Sequence, residues 1–276
     1  MRGGRGLYFP YKMKIGILTD EISQDVEKAF SFGKRLGIDD YELRSVWGKR
    51  VPGLKEKEIT ELEELIAKYK VNITSISPGL LKVPLSSSEL INHKNQLLDK
   101  SFSFAERLGV KNIIIFGIIQ KKENFDNVFT QIVKNIEDVV KKASVNNFEI
   151  LLENEASCYA DTAVNTLKIL EAIDYPCLKM NWDPGNSYRA GGHPYPYGYE
   201  LIKKYVGNIH VKDVKTVNGV REWTTIDKGE IDWKRQIGAL KRDNYQGMCI
   251  IENHIKPLEE KTKTNYKQLN ELISHL

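Results

Sequence analysis

FEILLE (148–153), CLKMNWD (177–183), GNIH (207–210) and MCIIE (248–252) are four short apolar runs, each closed by a side chain able to bind a cation. The closing residues are Glu153, Asp183, His210 and Glu252, spaced 30, 27 and 42 residues apart. Each interval accommodates a strand and the helix that returns the chain for a parallel neighbour. In a closed ring of parallel strands the C-terminal strand ends share one face, so side chains from different strands meet there. Three carboxylates and one imidazole gathered on that face would form a mononuclear site for a divalent cation. A single strand-end acid is ordinarily a helix cap or a solvated charge, and a lone histidine a satisfied structural residue. Four such groups at four successive strand ends are not explained by those roles.

The rest of the chain repeats the same alternation. KIGILT (14–19) reads as a first strand. Residues 22–36 follow with apolar positions at helical spacing, Ser23 as N-cap and Gly37 as the stop. A short strand over 40–43 precedes an amphipathic helix over 56–69. VNITSIS (71–77) is a third strand ended by Pro78-Gly79. A long helix over 87–108 leads to KNIIIFG (111–117), whose unbroken apolar run suits a strand buried on both faces. A helix over 125–145 precedes the fifth strand, and Asp161 is expected to cap the helix after it, which reaches Ile173. A short helix over 197–205 precedes the seventh strand, GNIHVK. A loop and a helix over 231–242 lead to the eighth, and a helix over 264–275 closes the chain. Eight strands alternating with eight helices predict a single-domain α/β fold, a (β/α)8 barrel over 14–276. Residues 1–13, MRGGRGLYFPYKM, read as a disordered or appended extension. An open doubly wound sheet is disfavoured because Asp20-Glu21, and no glycine-rich phosphate loop, follows the first strand.

Composition narrows the function. The 276 residues suffice for one barrel and a sizeable core. With 41 basic against 37 acidic residues, no basic block interleaved with aromatics suggests a nucleic-acid partner. No run is long enough for a membrane span, and the N-terminus lacks the apolar segment of a secretory signal. Three widely spaced cysteines, Cys158, Cys177 and Cys249, suit a reducing compartment, so a cytoplasmic location is expected.

The donor set is hard: mostly carboxylate oxygen, one nitrogen, no thiolate. It favours manganese, magnesium or cobalt over a structural cysteine-rich zinc site, with zinc still able to compete on affinity. Glu153 and Glu252 should flank the ion from opposite sides and act as an acid/base pair, one taking a proton beside a substrate carbonyl and the other returning one to the opposite face. His254 would reach the pocket rim, in a structural or a substrate-binding role. Trp47, in the loop after the second strand, would either pack in the core or form an apolar wall of the pocket.

In order and spacing, TDEIS (19–23), YELR (41–44), LLEN (151–154), WDPGN (182–186), HVKD (210–213), GEIDW (229–233) and IEN (251–253) carry a resemblance. Over residues 14–275 the chain resembles the xylose isomerase-like TIM barrel superfamily of sugar phosphate isomerases and epimerases. The resemblance implies one divalent metal bound by Glu153, Asp183, His210 and Glu252, with the two glutamates as the acid/base pair. It implies that Glu42 lines the pocket, that Lys212 and Asp213 contact substrate or hold the loop, and that Arg221 binds substrate. Homo-oligomerisation is expected from the relatives alone. Where many ketose epimerases carry a substrate-binding histidine, three residues after the sixth-strand aspartate, this chain has Asn186, whose amide can hydrogen-bond a hydroxyl but cannot titrate. The endonuclease branch of the superfamily uses a histidine-rich trinuclear site, and the five histidines here do not supply one. The expected activity is isomerisation or epimerisation of a sugar, sugar phosphate or keto-polyol through an enediolate. Dehydration of a keto-inositol or 3-keto-glycoside, and a sugar-binding barrel without chemistry, are the alternatives.

Overall fold

Eight parallel strands close into a ring in sequence order: β1 (Lys14–Leu18), β2 (Asp40–Leu43), β3 (Asn72–Leu80), β4 (Asn112–Phe116), β5 (Glu149–Glu153), β6 (Leu178–Trp182), β7 (Val206–Val211) and β8 (Met248–Ile251). The structure is a computed structural model and describes residues 13–275. The ring is the expected (β/α)8 barrel. The expected N-terminal extension lies, through residue 12, outside the described residues, while Met13 is buried in the core.

Register aligns the strand ends. Phe116 of β4 stands beside Glu153 of β5, Glu153 beside Asn181 of β6, and His210 of β7 beside Ile250 of β8. Between the filled barrel interior and the surrounding helices the strands are apolar on both faces. Ile113, Ile114, Ile115, Ile150 and Leu152 are fully buried. Leu152→Ala should therefore cost about 2–5 kcal/mol of stability, read as a lower denaturant midpoint at unchanged slope.

Several boundaries differ from the sequence reading for local reasons. β3 does not stop at Pro78-Gly79. It runs to Leu80, with a register jump between Ile76 and Leu80 that absorbs the Pro-Gly pair as a bulge. A 3-10 turn (Thr19–Glu21) after β1 delays the first helix to Val26–Leu36. Asp25 is its N-cap, accepting from Lys28 N at 3.2 Å, in place of Ser23. Gly37 ends it at φ 76°, as expected. The helix Ala163–Ile173 is capped by Thr162, and Asp161 Oδ1 instead holds Thr162 N at 2.6 Å and Asn165 Nδ2 at 2.9 Å. Residues 89–107 are helical with one π-turn at His93–Leu97, and the closing helix starts earlier than expected, at Leu258. The stretch read as a loop after β7 is an antiparallel hairpin, Asp213–Val217 with Val220–Thr224, turning at Asn218 and Gly219, both at positive φ. A second small hairpin, Ser45–Val46 with Lys49–Arg50, turns at Trp47 (φ 51°) and Gly48 (φ 73°). Both hairpins follow C-terminal strand ends. Among the described residues no helix is long and apolar enough to cross a membrane.

Candidate metal centre

Glu153 is the last residue of β5, and Glu252 follows the last of β8. Glu252 N donates to Val211 O at 3.1 Å, which ties that end to β7. Asp183 follows β6 and is the N-cap of the helix Pro184–Arg189, its Oδ1 accepting from Asn186 N at 2.8 Å. Asn154 clamps β5 to β6, accepting from Asp183 N and donating to Asp183 O, both at 2.8 Å. From these positions Glu153, Asp183, His210 and Glu252 each bring one donor atom within 4.8 Å of the other three, and all four side chains are buried. His210 Nδ1 lies 3.0 Å from Glu252 Oε2 and 3.5 Å from Glu153 Oε1.

The histidine is oriented from behind. Its Nε2 is 3.1 and 3.2 Å from the two carboxylate oxygens of Glu42, which also accepts from Ser75 Oγ at 2.8 Å. Asn181 Nδ2 also lies near Nε2, at 3.2 Å, with its own Oδ1 accepting from Asn208. A hydrogen bond from Nε2–H to Glu42 leaves the Nδ1 lone pair aimed into the cluster, the carboxylate–histidine arrangement that supports metal ligation. Glu42, expected to line the pocket, is fully buried beneath the histidine.

The donor atoms fit a divalent cation. His210 Nδ1 and Asp183 Oδ2 are buried without a hydrogen bond. Asp183 Oδ2 faces the Lys212 ammonium as an ion pair, 2.6 Å away. Three carboxylates and one imidazole form a hard, oxygen-rich set for Mn²⁺, Mg²⁺, Co²⁺ or Zn²⁺.

Electrostatics separates the two glutamates. Glu252 Oε2 accepts from Lys212 Nζ at 2.8 Å, and its Oε1 takes a close hydrogen bond from Arg44 Nη1 and lies 3.3 Å from His254 Nε2. Burial opposes its charge, but Lys212, His254 and His210 together hold its pKa well below the usual carboxylate range. Glu153 makes an ion-pair contact with His210 alone among the described residues, and its Oε1 accepts from the neutral Asn186 Nδ2 at 3.3 Å. Against the same burial, His210 lowers its pKa. Burial raises Asp183 to about 6 despite Lys212. Burial works against the charged form of His210, which Glu42, Glu153 and Glu252 nonetheless favour strongly. His254, also opposed by burial, is raised to about 9 by Glu252 and Glu21.

Other expected site residues divide into those at the cluster and those away from it. Lys212 is buried across Asp183 and Glu252, its ammonium 4.8 Å from the centre of the Trp223 ring. Gly185 gives it room, since a Cβ there would stand 3.0 Å from Lys212 Cγ and 3.2 Å from Trp223. Asp213 does not reach the cluster and instead holds Val214 N and Ile231 N. Asn186 stands against Glu153, and His254 sits at the rim, its ring tilted 50° to that of Trp223 and its Nδ1 2.9 Å from Glu21 Oε1. Arg221 is exposed and stands apart, its Nη1 donating to Tyr188 O and Arg189 O, which pins the hairpin to the helix before it. Trp47 is half-buried against the core at the hairpin turn. Residues not singled out from the sequence complete the wall. Arg44 binds Asp20, Glu21 and Glu252 together. Glu21 is buried and accepts from His254 N at 2.8 Å, and Trp223 lies over Lys212. Asp20-Glu21 and the last residue of YELR fall at strand ends, the same signal that singled out the four clustered side chains.

The xylose isomerase-like TIM barrel family matches residues 30–272, and the chain belongs to that family. Bacillus subtilis YfiH, an uncharacterized protein, is 24% identical over 95% of this chain and all of its own length. A 3-dehydroshikimate dehydratase from Bacillus anthracis is 25% identical over 68% of this chain and 66% of that protein. Among solved structures, the IOLI protein with a bound zinc atom superposes with a TM-score of 0.81 at 16% identity, over 95% of this chain and 99% of that one.

Proposed function

We propose that this chain is a divalent-metal-dependent isomerase or epimerase acting on a sugar, sugar phosphate or keto-polyol through an enediolate. The observation that carries the reading is the unequal pair of glutamates around one buried cation site. Glu252 is fixed by Arg44, Lys212 and His254, while Glu153 keeps the freer carboxylate. Glu153, Asp183, His210 and Glu252 would hold the metal, manganese first by the hardness of the set, which supplies Lewis-acid charge to a substrate carbonyl oxygen. Glu153 removes the proton from the carbon beside that carbonyl. Glu252, backed by the Lys212 ammonium, faces the substrate from the opposite strand end and serves the return of a proton. Asn186 keeps Glu153 aimed, and the buried walls limit water. Three cysteines without a disulfide support a reducing, cytoplasmic setting.

A second reading keeps the site and changes the outcome: the same enediolate expels a β-hydroxyl, making the chain a lyase. The relative that dehydrates 3-dehydroshikimate favours it. Incubating metal-loaded protein with candidate ketoses and cyclic keto-polyols in D₂O separates the readings. Deuterium entering a substrate or its isomer of unchanged skeleton is the expected result. A product lighter by one water assigns the lyase. Saturable sugar binding with no deuterium entry would leave a binding barrel and contradict both.

A further inference from the structure

Two cations at the barrel mouth are used by neither metal nor base. The hairpin after β2 carries Arg50 to the end of β3, where its Nε donates to Ser77 O at 3.0 Å and its Nη2 to Ser77 Oγ at 3.2 Å. Gly79, at φ 82°, makes the space: a Cβ there would sit 2.9 Å from Arg50 Nε and 3.2 Å from Cζ. Lys82, beyond the end of β3, reaches Glu155 Oε2 at 2.8 Å. Both cations lie over the Phe116 ring, Lys82 Nζ at 4.4 Å and Arg50 Cζ at 6.0 Å from its centre. Phe116 stands beside Glu153 in register. Arg50 is exposed and, among the described residues, forms no ion pair, so Nη1 and one Nη2 hydrogen remain for a ligand. Partial desolvation of the guanidinium and the nearby Arg44 lower its pKa, while Glu153, Asp20 and Glu252 oppose them.

We infer that Arg50 and Lys82 form an anion subsite that fixes the charged end of the substrate, a carboxylate or a phosphate, with Phe116 as its floor and the reacting carbons toward Glu153. The inference rests on the proposed function. It narrows the substrate to an acidic keto-polyol or a phosphorylated ketose. An arginine fork matches either anion in a bidentate fashion, and the Lys82 ammonium, paired with Glu155, supplies further N–H donors beside it.

The test is calorimetric titration of magnesium-loaded protein with D-fructose, D-fructuronate and D-fructose 6-phosphate. At least one charged ketose should bind about tenfold or more tightly than fructose, the scale of a charge-assisted contact. The stronger arm decides between carboxylate and phosphate. Arg50→Ala and Lys82→Ala should each remove most of that advantage, leaving magnesium stoichiometry and fructose affinity unchanged, and Arg50→Lys should restore part of it. Equal binding of charged and neutral ketoses, or an advantage that survives both alanine variants, overturns the subsite while leaving the metal-dependent reading intact. A chain that takes up neither magnesium nor manganese removes that reading and the subsite with it.

Discussion

Glu153→Gln is expected to slow deuterium entry into substrate by about 10²–10⁴-fold, the usual contribution of a positioned general base. The amide keeps the shape and one oxygen donor, so at saturating metal the variant should still hold about one ion per chain. It cannot accept the substrate proton. The effect should exceed that of altering Asn186, which only aims the carboxylate through its 3.3 Å hydrogen bond. Single-turnover exchange followed by NMR, with metal content measured on the same sample, checks the prediction. Full exchange with Gln at 153 would move the base to another residue, Glu252 first.

Glu42→Gln is expected to weaken metal affinity by about 10–100-fold, the range found when a partner behind a ligating histidine is altered. Glu42 has no exposure and meets His210 Nε2 through both oxygens. Neutralising it removes the charge that fixes the tautomer and makes Nδ1 a better donor. Glu42→Ala should be worse, because Ser75 and His210 both lose their acceptor. Competition against a chelating dye gives the affinity. If metal affinity stayed unchanged while KM alone rose, Glu42 would act on substrate, as the family resemblance implies.

The ring and the convergence of the four strand-end side chains were legible because both depend on local pattern. Short apolar runs closed by a carboxylate or an imidazole mark strand ends, and alternation with helices makes those ends converge. What escaped was chemistry acting between elements. Arg44 belongs to a motif that was read, yet its hold on Asp20, Glu21 and Glu252 arises only when β1, β2 and β8 are neighbours. Glu42 looked like a pocket residue because its position behind His210 depends on a contact 168 residues away in sequence. The hairpin carrying Trp223 did have a local signal, Asn218-Gly219 between β-prone residues, the pair favoured by tight two-residue turns. It passed as loop because its strands lie outside the barrel. Pro78-Gly79 punctuated the third strand correctly, but a bulge let pairing resume at Leu80.

The central claim is that four strand ends build one divalent-cation site. Elemental mass spectrometry of protein purified without chelators tests it most directly, beside the Asp183→Ala and His210→Ala variants. About one manganese, magnesium, cobalt or zinc ion per chain, lost in both variants, is the predicted result. A chain that remains metal-free and takes up no added manganese, or one whose metal content is untouched by both substitutions, would contradict it.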